Sequence, residues 1–265
     1  MLWPVSLQLS VVLITLNEEQ NLGRTLESVK PLVADGQGEI IVVDSGSTDK
    51  TVEIAKAYGA KVFVEEWKGF AAQKNSAIEK AAGEWVLSLD ADESLEPELA
   101  EEVGKVVRAG GARNPEGTCG YWIPRKNYFL GRWIRHGGFW PDPKLRLFLR
   151  GKGSVENRAV HETVKVEGGT STLRHALLHH AYPTLDAYLE HMRRYADLGA
   201  EMIKGKPRWW LWLNRWLNPL LAFFYNYVVR LGFLDGREGF LLHWNHRRYV
   251  GWKYQRAWEL NRGNR

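Results

Sequence analysis

The sequence predicts an α/β fold, a doubly wound and mostly parallel sheet followed by an amphipathic helical extension. Three observations predict it. Short apolar runs alternate with helical patterns four times in about the first hundred residues, the runs end in acidic or amide residues, and from Leu185 onward the pattern turns helical and basic.

Leu9–Thr15 is a continuous β-branched run of the kind buried on both faces of a parallel sheet, and it ends in Leu16-Asn17-Glu18-Glu19. Leu22, Leu26 and Val29 then mark one face of a helix running to Pro31. Ile40–Asp44 repeats the strand pattern, and the polar turn Ser45–Lys50 supplies N-caps for a helix over Thr51–Tyr58. A third strand is expected at Lys61–Glu65, a third helix at Lys68–Ala82 and a fourth strand at Trp85–Leu89. That strand delivers Asp90 and Asp92 to the sheet edge, ahead of a helix at Leu95–Arg108. In a parallel sheet the carboxyl ends of the strands share one edge, so Asn17-Glu18, Asp44 and Asp90/Asp92 converge there. An Asp-x-Asp pair on that edge suits a hard divalent cation held against a diphosphate.

Composition bounds the function classes. The chain has 265 residues, 45% hydrophobic and 25% charged, enough for one large domain and an appendage. A single cysteine, Cys119, excludes an internal disulfide framework and fits a reducing compartment. The N-terminus lacks the basic region and cleavage site of a secretory signal, and no apolar run is long enough for a transmembrane helix. Residues 205–265 hold eleven Lys and Arg against three acids, a net of +8, which leaves −3 for the rest of a chain of +5. A mildly acidic body with a basic, Trp-rich tail points to an anionic surface as partner. With no continuous basic groove on the body, nucleic acid is not expected.

Four segments together carry a family resemblance. Val12-Leu-Ile-Thr-Leu-Asn-Glu-Glu, Ile41-Val-Val-Asp-Ser-Gly-Ser-Thr-Asp-Lys-Thr, Gly69-Phe-Ala-Ala-Gln-Lys-Asn and Trp85-Val-Leu-Ser-Leu-Asp-Ala-Asp-Glu resemble, in order and spacing, the motifs of family 2 glycosyltransferases with the GT-A fold. The resemblance implies transfer of a sugar from a nucleotide diphosphate donor with inversion, assisted by Mg2+ or Mn2+. It places Leu16 and Glu18 by the nucleoside, Asp44 on the uracil and Lys74 on the diphosphate. Asp90 and Ala91 fall by the ribose or sugar, and Asp92 on the metal. Many relatives have Tyr where this chain has Leu16, so aromatic stacking on the base is absent.

The second half resembles a narrower group, the lipopolysaccharide core β-1,4-glucosyltransferases, through Trp133-Ile-Arg-His-Gly-Gly-Phe-Trp-Pro-Asp-Pro-Lys-Leu-Arg-Leu-Phe-Leu-Arg, Val160-His161-Glu162 and Gly232-Phe-Leu-Asp-Gly-Arg-Glu-Gly-Phe. Glucose as the sugar and a heptose of lipid A–core as acceptor follow from this resemblance alone. Inversion requires a general base at the acceptor hydroxyl. Glu162, after the apolar step Ala159-Val160, ranks ahead of Asp142, which stands between two prolines. His161 is a candidate to complete the metal shell. Arg135 and Arg146 are candidates to bind phosphate or carboxylate on the acceptor, with Arg146 expected to face the cleft.

The expected organisation is a catalytic domain over residues 1–184, with a donor half to about 95 and an acceptor half from 96, and a helical extension over 185–265. Trp and Tyr beside Arg on amphipathic helices suit a bilayer interface, so a peripheral protein at the cytoplasmic face of the inner membrane is expected. Two other readings share these features: transfer to polyprenyl phosphate, an acceptor that needs no base, and a nucleotide-sugar-binding protein with a degenerate site.

Overall fold

The computed structural model describes residues 7–110, 117–156 and 163–261. In chain order it begins with β1 (Leu9–Thr15), α1 (Leu22–Val33), β2 (Gly38–Asp44), α2 (Thr51–Ala57), β3 (Lys61–Val64), α3 (Phe70–Glu79) and β4 (Trp85–Asp90). Next come β5 (Glu93–Leu95), α4 (Pro97–Ala109), β6 (Thr118–Ile123), β7 (Arg125–Phe129), β8 (Arg132–Trp133), β9 (Lys144–Leu149), β10 (Gly153–Val155), β11 (Val164–Val166), β12 (Gly169–Thr172) and β13 (Leu177–Tyr182). The chain closes with α5 (Leu185–Ile203), α6 (Arg208–Phe223), a π-helical turn at Phe224–Val229, a 3-10 turn at Gly232–Asp235 and α7 (Gly236–Leu260).

Two compact units divide these elements. One runs to Arg125 and takes up the chain again over Pro143–His179; the other combines Lys126–Asp142 with His180 onward. The break therefore falls differently from a simple boundary at 184, because residues 126–142 gather with the C-terminal helices.

The first unit is the α/β body. Its described strands form a seven-stranded sheet in the order β12-β6-β9-β4-β1-β2-β3, with β4, β1, β2 and β3 parallel and β9 antiparallel to β4 and β6. Alternation along each strand sorts side chains to two faces. Leu9, Val11, Leu13, Ile40, Val42, Trp85 and Leu87 join one core cluster with Leu22, Leu26 and Val29 of α1 and Leu99, Val103 and Val107 of α4. Val12, Ile41, Val43 and Val86 join the other with Ala71, Ala77 and Ile78 of α3. Both faces are covered by helices, which is why these strands read as unbroken apolar runs. Register aligns their ends, Thr15 opposite Asp44 and Ile14 opposite Asp90. The strand order reverses at β1, where doubly wound sheets open a ligand crevice.

The second unit is mainly helical. Phe129 and Ile134 pack with Tyr188, Met192 and Leu242, and a further cluster joins Leu211 of α6 to Val250, Tyr254 and Ala257 of α7. No helix among the described residues is long and apolar enough to cross a membrane.

Inside this unit His243 is fully buried with neither ring nitrogen hydrogen-bonded. A Cβ at Gly137 or at Gly232 would come within 2.2 and 2.4 Å of its ring, so both positions need glycine to admit the imidazole. Burial pushes its pKa down to about 4 against a modest opposing pull from Asp235. The half-buried His246 is lowered to about 4 as well, by burial and then by His243 and Lys253. The unfolded state takes up these protons near pH 6.5 and the folded state does not, so the stability is complete above 6.5 and is lost as pH falls toward about 4. His243 alone accounts for up to about 3 kcal/mol of this loss. Denaturant midpoints above neutrality and near about pH 5 should differ accordingly, and His243→Gln should flatten the difference. A wild-type midpoint unchanged over that range contradicts the assignment.

Candidate active site

The loops after β1 and β2 are laced together before any ligand is considered. Asn17 adopts a positive φ of 56°, which asparagine tolerates, and its amide donates to Ser47 Oγ at 2.8 Å. Its side-chain oxygen accepts from the Thr48 amide at 2.9 Å, and the Glu18 amide donates to Thr51 Oγ1 at 2.8 Å. Asp44 holds the base of this arrangement. It is fully buried, and its carboxylate accepts from Thr15 Oγ1, Ser47 Oγ and the amides of Gly46 and Ser47, all within 2.9 Å. Asp44 reaches a base only by giving up one of these bonds. Leu16 beside it is half exposed. Glu18 is partly buried, and its carboxyl is raised above the usual range by burial and by the nearby Asp92, Asp49 and Asp90, against a lowering bond from Asn21.

At the end of β4 the two aspartates stand in unequal surroundings. Asp90 Oδ1 is 2.7 Å from Lys74 Nζ, and its Oδ2 meets the Arg146 guanidinium. Burial alone would raise its carboxyl, but Arg146 and Lys74 outweigh this and hold it well below the usual carboxylate range. Asp92 has a different neighbour, with Oδ2 3.2 Å from His179 Nε2. Here too burial raises the carboxyl, and the His179 contact more than offsets it. Between them, Ala91 is buried and its carbonyl accepts from Thr25 Oγ1 of α1 at 2.7 Å.

Glu93 anchors the network from below. Its side chain is wholly buried, and Oε1 pairs with Arg146 at 2.7 Å and Arg125 at 2.9 Å. Its Oε2 accepts from the amide of Asp90 at 3.1 Å. Arg146 is thus a buried clamp between Asp90 and Glu93, where the sequence led us to expect an arginine open to an acceptor. Two anions, at the end of β4 and the start of β5, draw it inward, because a buried carboxylate is tolerable only when paired.

Arg135 and Asp142 belong to the second unit. Arg135 is exposed and stacks on Trp133 at 4.7 Å, and Trp133 also carries Lys126 on its ring and packs edge-on against Trp140. Asp142 is half-buried at a positive φ of 37°, with Oδ2 accepting from Asn127 Nδ2 at 2.9 Å. His161 and Glu162 lie outside the described residues. The structure therefore brings together Glu18, Asp44, Lys74, Asp90, Asp92 and Arg146. Glu93, Arg125 and His179 complete the group and were missed from the sequence; only Glu93, adjacent to the Asp-Ala-Asp, offered any local signal.

A doubly wound, mostly parallel sheet with acids and a lysine gathered at its switch point has the GT-A architecture expected from the sequence. The chain belongs to glycosyl transferase family 2, whose family model matches residues 10–176. It is 32% identical over 202 residues to the lipopolysaccharide core biosynthesis glycosyltransferase LpsC of Rhizobium meliloti, covering 74% of this chain and 71% of that one. An uncharacterized glycosyltransferase of Rickettsia typhi is 46% identical over 96 residues, a match spanning 36% of this chain and about a third of that protein. Among solved structures, S. aureus TarS residues 1–349 in complex with UDP aligns with 97% of this chain and 92% of its own at 16% identity and a TM-score of 0.49, too distant to carry residue roles across.

Proposed function

We propose that this glycosyltransferase moves glucose from UDP-glucose, with inversion, to a heptose of the lipopolysaccharide inner core, at the cytoplasmic face of the inner membrane. The likeness to LpsC supports the acceptor class. The observation that carries the donor chemistry is the inequality of the two aspartates. Asp90 is neutralised by Lys74 and Arg146, whereas Asp92 keeps a carboxylate beside an imidazole.

A carboxylate oxygen and an imidazole nitrogen side by side suit Mn2+ or Mg2+. Asp92 and His179 would contribute two of the ion's positions, and His161, the residue expected to complete the shell, lies outside the described residues, among which no group of three or more His, Cys, Asp or Glu gathers for a metal. When bound, the ion supplies charge stabilisation to the leaving diphosphate. Lys74 adds a cation beside the same group. Asp90 binds the ribose or sugar in an orientation fixed by its two cations, and Leu16 and Glu18 line the nucleoside. Asp44 acts on the uracil either directly or by shaping the turn around it.

On the acceptor side Glu162, or failing it Asp142, removes the hydroxyl proton as the oxygen attacks the anomeric carbon and the bond to UDP breaks. Arg135, held on Trp133, takes a phosphate or carboxylate of the acceptor. Arg146 acts through Asp90 and not on the acceptor.

The test is release of nucleoside diphosphate from a panel of nucleotide sugars, with Mn2+ or Mg2+, in the presence and absence of detergent-solubilised lipid A–core. Metal-dependent UDP release from UDP-glucose, stimulated by that acceptor, is the expected result. Release from a different sugar discards glucose, and stimulation by polyprenyl phosphate alone moves the protein to that acceptor class.

A further inference from the structure

The helix α6 is amphipathic in the reverse of the usual sense. Trp209, Trp212, Trp216, Leu220 and Phe224 recur every third or fourth residue and are 54–69% exposed, so the most apolar stripe of the helix faces away from the protein. The opposite side carries the contacts to α7: Leu211 is buried, and Asn218 Nδ2 donates to Tyr254 Oη at 2.6 Å. The exposed apolar surface continues through Tyr225, Val228 and Val229 of the π-helical turn to Leu231 and Leu234. Contiguous apolar surface of this extent on an exposed face marks an interaction site.

The charges around it identify the partner. Residues 202–234 contain five Lys and Arg and no acid. Arg215 stacks on Trp216 at 4.7 Å and Arg230 on Tyr225 at 5.2 Å, so cations and aromatic rings alternate along the same surface. That is the chemistry of a lipid headgroup layer, where indole and phenol rings lie between acyl chains and water and the cations meet phosphate. A second copy of this chain is a poor occupant. A two-fold interface would set Arg215 and Arg230 against their own equivalents with no carboxylate in the segment to compensate. The helix also lacks the reach to span: sixteen residues rise about 24 Å, short of a hydrocarbon core of about 30 Å.

We infer that the outward stripe of α6, from Trp209 through the π-helical turn to Leu234, is a monotopic binding face that lies in the plane of an anionic bilayer, with Arg215 and Arg230 on lipid phosphates. This inference rests on the membrane placement proposed above and gives it a surface, an orientation and a lipid charge. It makes the helical unit a device for holding the enzyme on the membrane that carries its acceptor.

The test is flotation of the full chain with vesicles of phosphatidylcholine alone and of phosphatidylcholine with phosphatidylglycerol. The wild-type chain should float with the anionic vesicles, less so at raised salt. Trp212→Ser combined with Trp216→Ser should weaken this by about tenfold or more. Arg215→Gln with Arg230→Gln should remove the preference for phosphatidylglycerol. Trp212, Trp216 and Arg230 are exposed and Arg215 is half-buried, and unchanged metal-dependent donor hydrolysis in lipid-free solution reports the folding of both variants. Wild-type chain that stays with neither vesicle, or a tryptophan variant that floats like wild type, overturns the inference. So does a sedimentation measurement in which the tryptophan changes dissolve a dimer without affecting flotation. Because donor hydrolysis is scored without lipid, failure of the glycosyltransferase reading and failure of the membrane face appear in different measurements.

Discussion

Asp92→Asn is expected to lower metal-dependent donor turnover roughly a thousandfold while leaving the fold intact, the scale found when a group that stabilises developing charge is removed. The fold should survive because, among the described residues, the Asp92 carboxylate makes a single ion pair, to His179, whereas the neighbouring Asp90 is held by two cations. Asparagine preserves the shape and one oxygen but removes the charge that a divalent cation requires. Mn2+ titration by calorimetry gives a readout separate from turnover, and the variant should lose affinity for the ion in the presence of UDP. Turnover and affinity equal to wild type would remove Asp92 from the metal and leave Asp90 to be reconsidered.

Glu93→Gln is expected to act on stability first. Its carboxylate is wholly buried and joins Arg146, Arg125 and the amide of Asp90. Removing one member of a buried ion pair leaves an uncompensated charge and costs about 3–5 kcal/mol, far more than the net contribution of the intact pair. Denaturant unfolding measures this directly. Arg146→Met should cost a comparable amount, and the double variant less than the sum, since the orphaned partner is then gone too. Additive losses in the double variant would contradict a shared network. Turnover should fall as well, because the single oxygen of glutamine cannot serve both the Asp90 amide and the Arg146 clamp.

Local signals made much of the first unit legible. β1, β2 and β4 are apolar runs bounded by turn residues, and α1 between the first two carries Leu22, Leu26 and Val29 at i, i+4 and i+7, so none of these needed tertiary information. The end of β4 was legible for the same reason. Glu93 was hidden because an acid after a strand and before a helix reads as a turn or cap residue, while its actual role is in β5, three residues long and paired with the distant β13. That pairing puts His179 opposite Glu93 and so near Asp92. No periodicity in either segment announces a contact between residues so far apart in sequence. Arg146 was legible as a strand residue flanked by leucines, yet its direction depended on the unseen Glu93. The grouping of residues 126–142 with the C-terminal helices was equally out of reach, because it arises from contacts such as the Asp235 carboxylate accepting from the amides of Arg135 and His136.

The packing around His243 constrains how this unit can vary. Gly137 and Gly232 come from distant parts of the chain, yet each leaves out a side chain to make room for the same imidazole. Enlarging either glycine demands a smaller residue at 243, while shrinking residue 243 alone leaves a void beside two bare backbones. The three positions form one epistatic unit, in which every single step is deleterious and the two glycines are held further by a φ of 67° at Gly137 and by the Asn226 carbonyl, 2.8 Å from a Cβ at Gly232. Swapping this segment between homologous enzymes should therefore succeed when all three travel together and fail when the graft boundary separates them.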